Sequence, residues 1–539
     1  MSLMPNTDRG RRLHSGHAYL EFDLVSTRIF ESLSLRGIGG FGFPNQLVRE
    51  RLVQRAIEIL LEPFVNRFES VGLNPGASHA AATAAIADRH CSLDILSGRL
   101  TLSALQRATC WREFWVAWLK VLIFSMLPRR HGSLDLTGRR LCLLYGVGNE
   151  SVIVNGTDER FARYLASTPI APLRDAQAIV VQSSQVLTSI NPGRVAYAGD
   201  PLLFAWRQNR VGFGRFLGFL GRHLALPFDL ARQAGKFPEV LIIARDIACF
   251  ALVESMDRGR MFSDIVYTSS NCLSQPVWLR GDRNFKFHIA HYSQAWKVFA
   301  YSEDQLRSDF PQMRWVRCSE HWVWTEGFAE YIAKRDPPSK IHVVGPILWH
   351  FPERHPEKTD DIVLVAFDAP ALSDAVARSC GELANFWKAE HLKAFIDDLI
   401  RLRAELQIAF AGSVRLVLKP KRTNPEYDQD YVDYVSRRFS ERRLELAPVN
   451  ENMFDLISSG DIAIVFPYSS PAYVALNVKV PAVYHDPTRT LMPTYEAADG
   501  IWFCSGYDEL LGRCRTILAP KLGRASQHAA DLVDENFAG

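Results

Sequence analysis

Residues 461–484 of the chain read DIAIVFPYSSPAYVALNVKVPAVY. The first five residues have the length and β-branched content of a buried strand, and residues 480–484 have the same character. Between them, Ser469 and Ser470 stand where a helix N-cap belongs, and Pro471 suits the first helical position. The stretch therefore predicts strand, short helix and strand. Because a helix start directs free N–H groups toward one point, it also predicts a phosphate site.

The same alternation of apolar runs and helical stretches covers most of the chain. A first series of short apolar runs begins at Leu141 and includes 240–244 as a predicted strand. A Pro- and charge-rich stretch at 349–360 is predicted to be a linker, and a second series begins at Ile362. We predict an α/β fold with two Rossmann-like domains and a cleft at the carboxyl ends of both sheets. The predicted domains are a helical N-terminal region (1–138), a first α/β domain (139–350) and a second α/β domain (351–539).

Composition limits the class of protein. A hydrophobic content of 47% and a charged content of 22% are typical of a folded protein, and a net charge of +3 is too small to indicate nucleic-acid binding. Nine cysteines form no CxxC pair, so we expect free thiols in a reducing compartment and no bound metal. Residues 1–12 lack a secretory signal, and the apolar run 115–127 is too short to span a bilayer. The predicted location is cytoplasmic.

Cations follow the predicted strand 414–418, where Pro420 ends the strand. Lysine and arginine side chains at a strand end suit a diphosphate, although a solvated basic turn has the same composition. We expect this turn to meet the serine-capped helix start from an adjacent strand at a single anion pocket. The residues predicted to bind the nucleotide and its phosphates are Lys419, Lys421, Arg422, Tyr468, Ser469 and Ser470.

Two carboxylates are candidates for a catalytic base. Glu326 follows the predicted strand 321–324 and precedes a helix, so it is placed to take a proton from an attacking hydroxyl. An acidic residue early in a helix also complements the helix dipole without any catalytic role. Glu150, after a glycine turn at the end of strand 141–145, is the second candidate.

Polar and aromatic residues follow the predicted strand 264–267. Ser270, Asn271, Trp278 and Tyr292 suit hydrogen bonding to a sugar and stacking on its apolar face. His288 and His291 are candidates to orient donor or acceptor, and a structural histidine is the alternative for at least one of them. No third ligand stands at a spacing that would make this pair a metal site.

The stretch from Asp461 to Pro487 resembles the polysaccharide-biosynthesis proteins named for a Pro-Phe-Thr-Ser type motif. The order of clusters is similar to that in GT-B glycosyltransferases that use CMP-activated acidic sugars, the bacterial sialyl- and Kdo-transferases. Their acidic-acidic-Gly, His-Pro and Ser/Thr-Ser motifs match Thr325-Glu326-Gly327, Lys419-Pro420-Lys421 and Tyr468-Ser469-Ser470.

The resemblance implies two Rossmann-like domains in GT-B arrangement, with 139–350 as the acceptor domain and 351–539 as the nucleotide-sugar-binding domain. It implies a glycosyltransferase of surface-polysaccharide assembly with a nucleotide-sugar donor, a CMP-sugar in the nearest group. It covers about residues 260–520. Two positions depart from the motifs: Thr325 replaces the first acidic residue, and Lys419 replaces the histidine before proline. A nucleotide-sugar epimerase on the same fold, or a non-catalytic assembly protein, is therefore the alternative.

Partners follow from this interpretation. The donor and a glycan or lipid-linked acceptor are expected, with no cofactor besides the nucleotide sugar and no metal. Residues 207–232 interleave arginines with phenylalanine and leucine, which suits a helix lying on an anionic membrane surface. A helix that covers the first sheet is the alternative for this segment.

Overall fold

The computed structural model of the protein describes residues 12–13, 48–53, 55, 91–94, 99–127, 136, 138–147, 160–182, 194–209, 211–268, 275–279, 283–292, 316–354, 359–369, 371, 386–410, 412–420, 428–448, 450–467, 469–492 and 500–537. These residues belong to two compact units. The first takes its residues from 1–292, 311–322 and 330–342, and the second from 293–310, 323–329 and 343–539.

The N-terminal region contains a small sheet as well as helix. Strands β1 (Arg12–Leu13), β2 (Cys91–Asp94) and β3 (Arg99–Leu102) pair antiparallel, and this sheet was not predicted. Helix α1 (Ala104–Met126) confirms the helix expected there. It begins where Ser103 accepts a hydrogen bond from the backbone N–H of Gln106.

The first unit is built on one α/β sheet. Its strands are β4 (Leu141–Tyr145), β5 (Ala178–Gln182), β6 (Val195–Ala198), β7 (Asp264–Tyr267), β8 (Lys286–Ala290), β9 (Glu320–Val323) and β10 (Lys340–Val343). Among the described residues their order is β10-β9-β8-β7-β4-β5-β6, and the pairs from β6 to β9 are parallel. The helices between these strands are α2 (Arg160–Ser167), α3 (Ala171–Arg174), α4 (Pro201–Gln208), α5 (Phe213–Lys236), α6 (Ala244–Ala248), α7 (Phe250–Arg258) and α8 (Glu326–Arg335). The first four residues of α8, including Glu326, belong to the second unit.

The predicted strand at 240–244 is wrong. Residues Pro238–Ile243 form a 3₁₀ helix that leads directly into α6. Every residue from Glu239 to Ile243 is buried. A short run that is buried on all sides has no helical or strand periodicity, so its pattern cannot distinguish the two.

The second unit is a doubly wound parallel sheet. Its strands are β11 (Ile362–Phe367), β12 (Val414–Lys419), β13 (Glu445–Leu446), β14 (Ile462–Val465), β15 (Ala482–Asp486) and β16 (Ile501–Ser505). In the described part of the chain their order is β13-β12-β11-β14-β15-β16. The helices are α9 (Ala389–Ala409), α10 (Gln429–Ser440), α11 (Met453–Ser458), α12 (Pro471–Asn477) and α13 (Tyr507–Phe537).

Burial explains why the central strands of this sheet are apolar. All six residues of β11 and all four of β14 are buried, as expected for parallel strands that helices cover on both faces. Two such sheets confirm the predicted fold class, α/β with two Rossmann-like domains of the GT-B kind. None of the described helices combines the length and apolar character that a membrane span requires.

Candidate functional site

The strand order of the second sheet reverses at β11. From β11 the chain moves outward through β12 to β13, then returns to β14 on the other side and continues to β15 and β16. Ligands of open α/β sheets bind outside the carboxyl ends of the strands that flank such a reversal. Here those ends carry Asp368, after β11, and the loop 466–470, after β14.

Lys419, the last residue of β12, is a buried cation at the same edge. Only 7% of it is exposed, and its Nζ donates to the carbonyl oxygen of Pro448 at 3.4 Å. Burial lowers the pKa of Lys419, and the negative charges of Glu451 and Asp368 oppose this effect. A buried cation at the carboxyl edge of a parallel sheet is suited to bind an anionic group of a ligand.

The loop before α12 is held from two sides. Phe466 is buried, with its ring centroid 4.9 Å from that of Phe386 and 5.5 Å from that of Phe395. On the other side, the hydroxyl of Tyr484 donates to the carbonyl oxygen of Ser469 at 3.1 Å. Ser469 is itself buried, so the loop has a fixed position at the sheet edge.

The predicted helix start is confirmed at Ser470 and Pro471. Ser470 is the N-cap of α12 and Pro471 its first residue, but the Ser470 side chain forms no capping hydrogen bond. The helix has only seven residues, so its dipole contributes less than the sequence suggests. The phosphate-binding role of Ser469 and Ser470 stays a prediction.

The expectation that the lysine turn and the serine loop leave adjacent strands is wrong. Strand β11 lies between β12 and β14, and Phe367 pairs with both Lys419 and Val465. Neighbouring strands lie about 4.8 Å apart, so the two segments begin roughly 10 Å from each other. Apolar patterns identify strands but carry no information about their order in the sheet.

Asp368 follows β11, between the lysine turn after β12 and the serine loop after β14, and was not predicted from the sequence. It is 2% exposed and accepts a hydrogen bond from the hydroxyl of Tyr431 at 2.8 Å. The sequence contained the necessary signal, because Asp368 is a carboxylate that directly follows the predicted strand 362–367. A carboxylate after a predicted strand is also the pattern that selected Glu326. A carboxylate here suits hydrogen bonding to the hydroxyls of a ribose or sugar.

Several predicted site residues lie outside the described residues, and their predicted roles stay predictions. These are Glu150, Ser270, Asn271, Lys421, Arg422 and Tyr468.

The first sheet also reverses its strand order, between β4 and β7. After β4, Gly146 has a φ of 76°, a conformation that favours glycine. After β7, the hydroxyl of Thr268 donates to the carbonyl oxygen of Tyr145 at 2.7 Å and so joins the two strand ends. Glu150 follows the first of these ends in sequence, and Ser270 and Asn271 follow the second.

His288 lies in the middle of β8, not in a polar loop. It is buried, and its Nε2 lies 3.0 Å from Oδ1 of Asp264. Burial disfavours ionised Asp264, but the hydrogen bonds from His288 and Ser263, with the charges of His288 and Arg140, outweigh it and lower the pKa of Asp264. This pair supports the structural interpretation of His288, and a role toward donor or acceptor stays a prediction.

Asp264→Asn is expected to destabilise the first unit by about 1–3 kcal/mol near neutral pH, because the bond from His288 loses its charged partner. The pKa of Asp264 is depressed in the folded state, so this stabilisation is present above the ordinary value of 3.8 and is lost as the pH falls through the folded pKa. The difference in urea-unfolding midpoint between wild type and variant should therefore shrink in acid.

Asp229→Asn is the matched control for this measurement. Asp229 pairs with Arg232 on the surface of α5 at 3.4 Å, and such pairs contribute little to stability. A midpoint that Asp264→Asn leaves unchanged at neutral pH would contradict the assignment of a stabilising buried pair.

His291 ends a buried chain of titratable groups. Its Nε2 lies 3.1 Å from Nδ1 of His321, whose Nε2 lies 3.2 Å from Oδ2 of Asp336. Burial, and the charge of His321, lower the pKa of His291 well below its usual range, so its imidazole is neutral at physiological pH. Because a lowered pKa makes an imidazole a weaker base, this environment does not favour proton abstraction by His291, and its role toward donor or acceptor stays a prediction.

Near His291, one cluster of side chains in the described part of the chain has ligand atoms close enough together to bind a metal ion. Ligand atoms of Cys318, His321 and Asp336 lie within 4.8 Å of one another. Each has a protein partner: the sulfur lies 3.3 Å from the carbonyl oxygen of Glu320, and the other two bond to each other. Hydrogen bonding accounts for this cluster, and the prediction of no metal stays a prediction.

Glu326 is the first residue of α8 and is exposed. The residue before it, Thr325, stands in place of the first acidic residue of the resembled motif. Its Oγ1 accepts a hydrogen bond from the backbone N–H of Phe328 at 3.3 Å, as a helix cap does. Thr325, although it differs from the acidic residue of the motif, therefore caps the helix start that positions Glu326.

The two remaining predicted sugar-binding residues differ in exposure. Trp278 is 6% exposed and belongs to the interior of the first unit. Tyr292, directly after His291, is 36% exposed and can contact a ligand. Stacking on a sugar stays a prediction for both.

A family model for polysaccharide biosynthesis PFTS motif proteins matches residues 228–512, more than half of the chain. The chain belongs to this family. In this PFTS motif protein the match includes Lys419, Ser469, Glu326 and His291. No curated protein shows significant similarity to the sequence.

Solved structures that resemble the PFTS motif protein include HepE from Anabaena in complex with UDP-glucose. It is 11% identical, with 72% of this chain and 95% of that chain covered and a TM-score of 0.35. The wall teichoic acid polymerase TagF is 10% identical, with 80% and 98% covered and a TM-score of 0.37. These scores are low, so the description of the fold rests on the strand order of the two sheets.

Proposed function

We propose that the protein is a glycosyltransferase of polysaccharide biosynthesis, which transfers a sugar from a nucleotide-sugar donor to a glycan or lipid-linked acceptor. The observation that carries the proposal is the buried cation Lys419 at the carboxyl edge of a doubly wound sheet, beside the strand reversal marked by Asp368 and Ser469. Anionic, hydroxyl-rich ligands suit that combination.

In this proposal the second unit holds the donor. Lys419 pairs with the phosphates, Ser469 and Ser470 hydrogen-bond to them, and Asp368 accepts hydrogen bonds from the ribose. The residues nearest in sequence complete the site: Lys421, Arg422 and Tyr468. The positive charges of Lys419, Lys421 and Arg422 stabilise the leaving phosphate, so the proposed reaction uses no metal.

The proposed base is Glu326. Its carboxylate takes the proton of the acceptor hydroxyl as that oxygen attacks the anomeric carbon, and the nucleotide leaves with the bond electrons. Glu150 is the alternative base, and His288 or His291 orients donor or acceptor. The enzyme acts in the cytoplasm, at the membrane surface if its acceptor is lipid-linked, with 207–232 as the contact.

A thermal-shift screen against CMP, UDP, GDP and dTDP tests the donor site. We expect one nucleotide to raise the melting temperature, and Ser469→Ala with Ser470→Ala to weaken its calorimetric affinity about tenfold, because two hydroxyl hydrogen bonds contribute about 1 kcal/mol or less each. Unchanged affinity in the double variant would contradict the serine assignment.

Ser440→Ala provides a control for that variant. The Ser440 hydroxyl donates to Ser436 within α10 and is exposed, so its loss should leave nucleotide affinity unchanged. A screen in which no nucleotide binds would instead favour the non-catalytic alternative, for which the missing acid at Thr325 is the motivating observation. Conversion of the donor without an acceptor would identify an epimerase.

A further inference from the structure

Two helices of the first unit expose most of the large apolar side chains in the described part of the chain. Of sixteen such side chains there, twelve belong to α1, its C-cap residue or α5. Single exposed apolar residues are ordinary, but their concentration on two neighbouring helices indicates an interaction surface.

Helix α1 is apolar on two faces. One face is buried in the first unit. On the other, Val116, Leu119, Ile123 and Met126 recur at spacings of three and four residues and are 46–63% exposed. Arg112 lies one turn before Val116 and continues this exposed face.

Helix α5 carries a second exposed apolar stripe. Phe213, Leu217, Leu224 and Phe228 follow one another at spacings of four, seven and four residues, which places them on one side of the helix. Phe213 is 76% exposed and Phe228 is 78% exposed, and the other two are nearly half exposed. Folding of the first unit leaves this stripe uncovered.

The two stripes border the same helix contact. Trp118 Nε1 donates to the carbonyl oxygen of His223 at 2.8 Å, His223 Nε2 donates back to the carbonyl oxygen of Trp118 at 3.0 Å, and the rings stack at 5.0 Å. Trp115, 42% exposed, lies 5.5 Å from Trp118. Leu224, 45% exposed, directly follows His223.

A second contact fixes the direction of the helices. Trp206 donates to the carbonyl oxygen of Ser125 at 3.3 Å, and its ring lies 5.0 Å from that of Phe219. Trp206, on α4, thus bridges a later position on α1 and an earlier position on α5, so the helices run antiparallel. We call the exposed apolar stripes of these two packed helices together the α1–α5 face.

The charge of the two helices is positive. Together they contain seven cationic and two anionic residues. Lys120 and Arg222 pair with Asp200 and Glu254 outside the two helices, so the helices and these two partners together have a net charge of +3. A basic, apolar helical face complements a bilayer whose headgroups are anionic.

We infer that the α1–α5 face binds flat on the surface of an anionic membrane. The apolar side chains enter the boundary between headgroups and acyl chains, and arginines and lysines remain at headgroup level. This inference adds α1 to the contact predicted at 207–232. It is independent of the donor site in the second unit.

Co-sedimentation of the full chain with vesicles tests the inference. Binding is expected to vesicles of equal parts phosphatidylcholine and phosphatidylglycerol, with much weaker binding to phosphatidylcholine alone and weakening by salt. Leu119→Gln with Ile123→Gln on α1, and Phe213→Ser with Phe228→Ser on α5, should each weaken partitioning about tenfold or more, because each removes two inserted apolar groups.

The matched control is Ile408→Gln with Phe439→Ser. These apolar side chains of the second unit are 88% and 49% exposed and lie outside the α1–α5 face, so vesicle binding should not change. Equal binding by all variants would overturn the inference. So would lipid-independent self-association, measured by sedimentation velocity, that the α1 and α5 variants abolish, since the face would then join two copies.

Nucleotide-induced thermal shifts, measured on the same variants, keep the two proposals apart. Unchanged shifts with lost vesicle binding support the membrane face alone. Vesicle binding by a protein that binds no nucleotide would leave the membrane face standing and contradict only the proposed donor site.

Discussion

Glu326→Gln is expected to reduce glycosyl transfer by about two to four orders of magnitude, the usual contribution of a general base. The amide keeps the size of the side chain but cannot take the proton of the acceptor hydroxyl. Glu326 is exposed at the start of α8, and Thr325 caps that helix, so the fold should persist. Loss of the charge near the helix N-terminus costs at most about 1 kcal/mol. Transfer is measured at saturating donor and acceptor, and nucleotide affinity by calorimetry should be unchanged.

Glu330→Gln is the control, because Glu330 is an exposed glutamate one turn later on the same helix. It removes the same charge from α8 without touching the proposed base, so turnover should be kept. Retained turnover in Glu326→Gln would exclude Glu326. The base would then be sought first at Glu150.

Strands that are apolar apart from their end residues could be predicted closely. Ile362–Phe367, Leu141–Tyr145 and Asp264–Tyr267 have the predicted bounds, because a parallel strand covered on both faces needs an uninterrupted apolar run. The run at 240–244 has the same composition but forms a 3₁₀ helix. Composition alone does not determine the backbone conformation of such a buried segment.

A strand with a polar residue in its interior escaped prediction. Strand β8 begins with Lys286 and has His288 in its middle, so it does not read as an apolar run. In the structure His288 is compensated by Asp264 on the neighbouring strand. This compensation joins residues 24 positions apart, and a local pattern does not reveal it. The antiparallel strands β2 and β3 were missed because polar and apolar residues alternate in both, so neither forms an apolar run.

The sequence predicted individual residues of the candidate site but not the distance between the strands that carry them. Strand ends and helix starts are local features, which is why Lys419 and Ser469 were found. The position of β11 between their strands depends on the order of the sheet, and sheet order results from long-range packing. Asp368 shows the same limit, since its importance follows from the strand reversal beside it.

Lys419→Met is expected to weaken nucleotide affinity about ten- to hundredfold, because a charge-assisted hydrogen bond contributes about 1.5–3 kcal/mol. Met has nearly the shape of Lys and needs no negative partner, so replacing a buried ammonium should leave the melting temperature unchanged or raise it. A loss of affinity with unaltered stability therefore separates binding from folding. Lys479→Met is the control: Lys479 is exposed beyond the other end of α12, and its φ of 60° is the same strain for either side chain. If Lys419→Met binds the nucleotide as wild type does, Lys419 has a structural role and the donor phosphate lies elsewhere.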